Sequence, residues 1–531
     1  MTGMFAIAAG HRLTAEAGAE VLRAGGSAVD AVVAGAAMAM VAEPVLAGLC
    51  GGGFLMMREA GGRMAVLDAF VETPRAKRGA GDCDLRDVEA DFGTARQRFR
   101  IGAGTIAASG LAAGLVEAHA RDGRMALPEL LAPAARAARD GVEVTPFQAR
   151  LGGIVAPIVS ASPEVRALFC NADGAPLAAG ARAANPALGD VLEVFGLEGA
   201  RFVQEGEVAA AVLALARDGG HLQAADLAGY QPHFRAPLLA ERCGVQLALN
   251  PPPALGGALT AFPLAILPQM RGRMPDALAL ARAFELTLEA RAGSGIDADA
   301  EAGAARLGDT AALEVWRARL EAVRGASGGA ARRGTTHISA VDRDGAAAAL
   351  TLSNGEGCGL IAPGTGIMPN NMLGEDDLVP GDPLGWVPGR RLASMMTPMI
   401  AAWPDGRVMA LGSGGSNRIR TALAQVMLAL TDGGADLEQA IAAPRLHVEG
   451  CAEDVGEAAR EARAGSALQL DFERPGRREE EIAALERAYP GARGWEAPSM
   501  FFGGVHAVMR ESKGGAIGVG DARRSGYAIA G

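Results

Sequence analysis

Aromatic side chains are scarce in this chain: Phe, Trp and Tyr make up 4% of its 531 residues. RNA-binding modules that stack bases on aromatic platforms need more of them. Basic charge is not in excess either, since 50 Lys and Arg face 61 Asp and Glu and leave a formal net charge of −11. An acidic surface repels phosphate backbones, which argues against nucleic acid as the main partner. The six cysteines (Cys50, Cys83, Cys170, Cys243, Cys358, Cys451) form no C-x-x-C pair, so neither a zinc site nor a disulfide framework is expected. Long apolar runs are missing too. The longest, Ala31 to Ala42, is 12 residues between Asp30 and Glu43, too short to cross a bilayer. The first residues, Met1 to His11, lack the basic and apolar regions of a signal peptide. The expectation is a cytoplasmic protein without a membrane partner.

Glycine, by contrast, is abundant: 74 residues, about twice the usual ~7% share. With no G-X-Y period and ample Val, Leu and Met, this predicts many tight turns and small-residue packing. Residues 12–42 read as helix, broken at Gly25-Gly26 and restarted at Ser27, an N-cap with Asp30 three residues on. Cys50-Gly51-Gly52-Gly53 reads as a glycine turn into a strand through Met57. It is not a dinucleotide fingerprint, which should follow a strand and open a helix. Helical patterns recur near 110–140, 206–217 and 275–292. From about Arg291 to Arg333 the composition suggests an exposed, mobile connector. After it come two strands, Thr335–Val341 and Ala346–Ser353, joined by the turn Asp342-Arg343-Asp344-Gly345. A Gly/Pro-rich loop region (363–391), a strand Val408–Leu411, the turn Gly412-Ser413-Gly414-Gly415-Ser416-Asn417 and a helix from Arg420 to Leu430 follow. Helices, then strands, then helices suit a layered α/β architecture.

Gly334-Thr335-Thr336-His337 carries the chemistry. Cutting the Gly334–Thr335 bond would give Thr335 a free α-amine beside its own hydroxyl. Such an amine has a pKa of roughly 8, so near neutrality it can serve as base for the Oγ. One residue then supplies both nucleophile and base. Glycine before the cut accepts strained backbone angles at little steric cost. The plainer reading is that Thr-Thr merely opens a strand.

The ordered blocks decide between them. Glu16 to Ala31, Cys50 to Phe54, Asp226-Leu227-Ala228-Gly229-Tyr230, Pro251-Pro252-Pro253, Gly256-Gly257, Thr335-Thr336-His337, Pro363 to Ile367, Asn370-Asn371, Gly412-Ser413, Gly503 to His506 and Gly520 to Arg524 together resemble the γ-glutamyltranspeptidase family. The match runs nearly end to end and is weak at 290–330. The resemblance implies an N-terminal-nucleophile hydrolase with a four-layer αββα sandwich. It implies a precursor that cuts itself at Gly334–Thr335 into a large chain (1–334) and a small chain (335–531), which stay paired as one αββα domain. Thr335 would attack a γ-glutamyl or related amide and pass the acyl group to water, an amino acid or a dipeptide, with no cofactor or metal.

The resemblance also places the supporting residues. The turn Gly414-Gly415-Ser416 is similar to the family's oxyanion loop, with the N–H groups of Gly415 and Ser416 as donors. Ser353 lies where the family has a hydroxyl on the nucleophile's amine, and strand alternation puts Thr351 on the same face. Asn354 follows as a substrate-binding amide. In Glu375-Asp376-Asp377, Asp376 and above all Asp377 resemble the carboxylates that hold the substrate ammonium. Ser394 fits the first of two serines for the α-carboxylate.

Three positions depart from the family. Phe70 stands nearest the usual arginine for the glutamyl α-carboxylate, Met395 replaces the second serine, and Met372 follows Asn370-Asn371. Arg390 or Arg391 is the candidate replacement for the arginine. These departures leave a second reading: an amidohydrolase or acylase with the same nucleophile and another acyl group. Two further readings stand beside these. Gly325-Ala326-Ser327-Gly328-Gly329 matches the G-x-S-x-G elbow but lacks its strand-to-helix setting. An unprocessed, non-enzymatic binding protein of the same fold is the other.

Overall fold

The computed structural model describes residues 3–91, 96–320, 334–450 and 468–531. Two antiparallel sheets lie at its centre. The first has seven strands in the order Tyr527–Ala530, Ala6–Ala9, Thr336–Val341, Ala347–Ser353, Gly52–Arg58, Met64–Ala69, His233–Arg235. The second has six, in the order Ala516–Val519, Gly504–Arg510, Val408–Gly414, Met399–Ala402, Val245–Leu249, Leu238–Arg242. The sheets pack through the hairpin strands and Val408–Gly414.

Strand alternation sorts the side chains between two cores. Ala6 and Ala8 join the core that holds the second sheet, while Ile7 and Ala9 join the core under the N-terminal helices. Phe54 and Met56 divide from Leu55 and Met57 in the same way, as do Ala347 and Ala349 from Ala348 and Leu350. The helices Arg12–Arg23 and Ala28–Ala42 cover the outer face of the first sheet. Every residue of Ala28–Ala42 is buried, which is why its sequence is apolar on all sides. Ser27 and Asp30 form the expected capping box. The helices Gly256–Ile266 and Arg418–Thr431 cover the second sheet. The architecture is helix, sheet, sheet, helix.

One expectation is corrected. The stretch 291–320 is helical rather than a connector: Ala277–Ser294, Ala300–Gly308 and Thr310–Leu320 are helices. Gly303 explains why composition misled, because a Cβ there would stand 2.3 Å from the Ile296 Cα. Close packing demanded small residues, and small residues resemble a linker. The rest of that connector (321–333), including the G-x-S-x-G match, lies outside the described residues, as does Cys451. The other five cysteines are free thiols. Among the described residues no helix is long and apolar enough to cross a membrane.

Candidate active site

Hairpin register builds the centre of the site. Thr336 pairs with Leu352 and His337 with Thr351, so one more step along the ladder sets Thr335 opposite Ser353. Both are buried, at 5% and 6% exposure. The Ser353 Oγ donates to the Gly334 carbonyl oxygen at 2.8 Å and accepts from the Gly355 N–H at 3.0 Å. The Gly334 N–H donates to Glu356 Oε1 at 2.8 Å. On the other side of the peptide bond, Arg524 Nη1 donates to the Thr335 carbonyl at 3.2 Å. The Thr336 Oγ1, on the helix face of the strand, donates to Glu43 Oε2 at 2.7 Å, and the Thr14 Oγ1 donates to Glu43 Oε1 at 2.9 Å. Burial raises the Glu43 carboxyl to about 7 against the pull of those two hydrogen bonds. The Gly334–Thr335 bond is therefore held from both ends.

The neighbouring sheet contributes the glycine turn. Val408–Gly414 ends against Thr335 so closely that a Cβ on Gly414 would stand 2.0 Å from the Thr335 carbonyl oxygen. Gly415 (φ +127°) and Ser416 (φ +53°) follow, both in backbone space that side chains disfavour. Ser416 is not glycine, so its conformation is strained, and such strain gathers at functional sites. Two successive N–H groups in a turn of this kind form an anion-binding concavity. The Ser416 Oγ donates to Asp377 Oδ2 at 2.8 Å, fixing the turn to the opposite loop.

Thr335 lines a cavity of about 500 Å³. Ser353, Ser394, Met395, Asp377 and Ser416 line it as well, together with Phe70, Met372 and Glu375. Other candidates lie elsewhere. The Thr351 Oγ1 is 2.8 Å from His337 Nδ1, one pair down the hairpin. The Asn354 Nδ2 donates to the Met368 carbonyl. Asp376 pairs with Arg100 at 2.6 Å. Ser394, in the cavity wall, accepts the Met396 N–H through its Oγ. Among the described residues no arginine lines this cavity. Arg391 sits behind Phe70: its guanidinium donates to the Phe70 carbonyl at 2.8 Å and to the Gln231 carbonyl at 2.6 Å, pairs with Glu72 at 2.9 Å, and stacks on Tyr230. Arg390, through its backbone N–H, binds Thr73.

Glu43, Glu356 and Arg524 were missed as individual positions. Glu43 and Arg524 are remote in sequence from Thr335, and only the sheet order brings them to it. The buried charge of Glu43 at the end of an apolar helix was the one local signal.

A four-layer αββα fold with a threonine at the head of an inner strand, facing a strained glycine turn, defines an N-terminal-nucleophile hydrolase. The chain belongs to the γ-glutamyltranspeptidase family, whose sequence profile matches residues 14–531. The Acylase ACY 1 proenzyme of Pseudomonas sp. (strain SE83) is 32% identical over 470 residues, covering 85% of this chain and 84% of that protein. The glutathione hydrolase proenzyme of Escherichia coli (strain K12) is 29% identical over 469 residues, covering 81% and 79%. In fold, the chain resembles the crystal structure of cephalosporin acylase from Bacillus halodurans, with a TM-score of 0.82 at 21% identity over 100% of this chain and 96% of that one.

Proposed function

We propose that this enzyme is a self-processing amide acyltransferase of the γ-glutamyltransferase type, with Thr335 as its nucleophile. The carrying observation is the grip on the Gly334–Thr335 bond: Ser353 on the Gly334 carbonyl, Glu356 on the Gly334 N–H and Arg524 on the Thr335 carbonyl. In processing, the Thr335 Oγ attacks the Gly334 carbonyl carbon, the C–N bond breaks, and the hydroxyl proton passes to the departing amine. Ser353 stabilises the oxyanion as it forms. Water then hydrolyses the ester, leaving a Gly334 carboxylate and a free Thr335 α-amine. The products are a large chain (1–334) and a small chain (335–531) that remain packed, because each sheet contains strands of both.

In the mature enzyme the α-amine accepts the Oγ proton as Oγ attacks the substrate carbonyl. The Gly415 and Ser416 N–H groups receive the oxyanion. The acyl group occupies the 500 Å³ cavity until water, an amino acid or a dipeptide amine takes it.

The cavity wall favours the acylase reading over a glutamyl one. An α-carboxylate there would lose its charge-assisted partner, at about 1.5–3 kcal/mol per bond, since Arg391 is committed behind Phe70. Phe70, Met372 and Met395 offer apolar surface instead. Similarity to an acylase proenzyme across most of both chains supports this. The test is a set of anilides with γ-glutamyl, glutaryl and butanoyl groups, given to wild type and Thr335→Ala. At least one non-glutamyl anilide should be cleaved about 10-fold faster than the γ-glutamyl one, as expected from one lost ionic contact, and the variant should cleave none. Fastest turnover of the γ-glutamyl anilide would restore the glutathione-hydrolase reading.

A further inference from the structure

The turn Gly415-Ser416 leads directly into the helix Arg418–Thr431. Wherever the first turn of that helix sits, the two N–H groups of the glycine turn must follow. One face of its N-terminal half is polar although it is buried. Asn417, Arg420, Thr421 and Gln425 form a stripe on it at helical spacing. The strand Leu446–Gly450, from a separate three-stranded sheet, meets that stripe in reverse chain order. Gln425 exchanges two hydrogen bonds with the Leu446 backbone, at 2.8–2.9 Å distances typical of such bonds, through its Nε2 and Oε1. The Thr421 Oγ1 is 2.9 Å from His447 Nδ1. Arg420 Nη2 donates to the Val448 carbonyl at 3.2 Å. Asn417 Nδ2 donates to Glu449 Oε1 at 2.9 Å.

The last contact differs from the others. Asn417 is the N-cap residue of the helix, yet its side chain caps none of the helix N–H groups and is spent on Glu449. That carboxylate is buried and charged. Burial pushes it up, but Arg418, 3.6 Å away, together with His447 and Arg420, outweighs burial and holds it at about 2. An ionised carboxylate only accepts, so the groups facing it are donors: the Asn417 amide nitrogen and His447 Nε2, the latter at 2.8 Å. Burial lowers His447 to about 4, so near neutrality its ring is uncharged and Nδ1 accepts from the Thr421 hydroxyl. One carboxylate thus clamps Asn417, Arg418 and, through His447, Thr421. These span the first turn of the helix.

Position gives the clamp a task. Ser416 holds a φ of +53°, which a residue with a side chain keeps only where its surroundings over-determine it. Asp377 holds the Ser416 Oγ, and Glu449 holds the next residue, Asn417. We propose that Glu449 is a positioning residue for amide turnover: through Asn417 it keeps the Gly415 and Ser416 N–H groups aimed at the oxyanion of the attacked amide. Glu449 lines neither cavity that contains Gly334, so it acts through its neighbours. The inference rests on the reading of those two N–H groups as the oxyanion donors. It also separates the two reactions of Thr335. In self-cleavage the oxyanion forms on the Gly334 carbonyl, where Ser353 donates; in amide turnover it forms at the turn. Loss of the clamp slows the second and spares the first.

Asn417→Ala is the main test, because it cuts the link and leaves the Glu449 charge with Arg418 and His447. Self-processed variant and wild type are compared on the anilide that the wild type cleaves fastest. The variant's kcat should fall about 10²-fold, the scale of one oxyanion donor, with KM little changed. A second acyl group should show the same factor. Self-cleavage, followed on denaturing gels, should keep its wild-type rate. Glu449→Gln still offers Asn417 an amide oxygen and should retain most of the turnover. Glu449→Ala should match Asn417→Ala, and the double variant should be no slower than either. A merely structural role would slow self-cleavage and turnover together, which would overturn the inference. So would a wild-type kcat in Asn417→Ala. If Glu449→Ala fails to fold, the other two variants decide, since equal losses in Asn417→Ala and Glu449→Gln contradict a link through Asn417. Wild-type self-cleavage and anilide turnover report separately on Thr335, so failure of that reading is recognised by itself.

Discussion

The floor of the cavity at Thr335 and its wall obey different rules. The floor is backbone: hairpin register sets Ser353 opposite Thr335, and a glycine strand end lies against the Thr335 carbonyl. Ladder hydrogen bonds and sheet order, rather than side-chain packing, maintain its geometry. The wall consists of loop and strand-end side chains, Phe70, Met372 and Met395, which no register constrains. Such a division would let a family keep one reaction while changing the acyl group. Floor substitutions should impair every substrate alike, whereas wall substitutions should redistribute rates among substrates.

Thr335→Ala is the most severe break in the floor. It should abolish self-cleavage and all amide turnover, seen as one uncut band and no aniline release. Gly414→Ala comes next, because its Cβ would collide with the Thr335 carbonyl. Cleavage should slow by at least about 10³-fold, since the whole turn moves rather than one donor being lost. Ser353→Ala removes a single donor from the Gly334 carbonyl and should slow self-cleavage by about 10²-fold, while Ser353→Thr should retain it. A time course on denaturing gels ranks the three. If Ser353→Ala cleaved at the wild-type rate, the scissile carbonyl would be polarised by another group.

Met395→Ser tests the wall. It restores a hydroxyl beside Ser394 and should raise the γ-glutamyl to butanoyl rate ratio several-fold, up to about 10-fold, without changing self-cleavage. An equal change in both rates would mean that the wall and floor are not separable.

The smallest effect lies behind the floor. Glu43 is raised by burial from its ordinary 4.5 to about 7, so between these values the native state binds more protons than the unfolded one. Stability contributed by this group is full below about 4.5 and falls as pH rises through 7. Glu43→Gln should flatten that part of the thermal-stability profile between pH 5 and pH 8. An unchanged slope would mean that Glu43 is ionised throughout.

The floor was legible in the sequence because its signals are local. Asp342 to Gly345 announces the hairpin, parity along its strands orients Ser353, and the glycine run announces the turn. Even there, alternation alone allowed Thr351 or Ser353, and only the register showed that Thr351 belongs to His337. The departure at Phe70 could be read, but the whereabouts of Arg391 could not, because its partners Glu72, Tyr230 and Gln231 are more than 150 residues away in sequence. Asp376 and Asp377 are neighbours of like charge, yet one turns to Arg100 and the other to Ser416. Adjacent residues in a loop follow no period that would tell them apart. The helices within 291–320 were hidden for another reason: close packing at Gly303 selects the same small residues that a linker would use.

The central claim is that Gly334–Thr335 is cut by the protein itself. Intact mass measurement of the purified wild-type chain tests it directly, with Thr335→Ala prepared in parallel. Two fragments whose smaller member begins at Thr335, beside a single uncut variant chain, is the predicted result. A wild-type protein that stays one chain, or a small fragment beginning at any other residue, would contradict it.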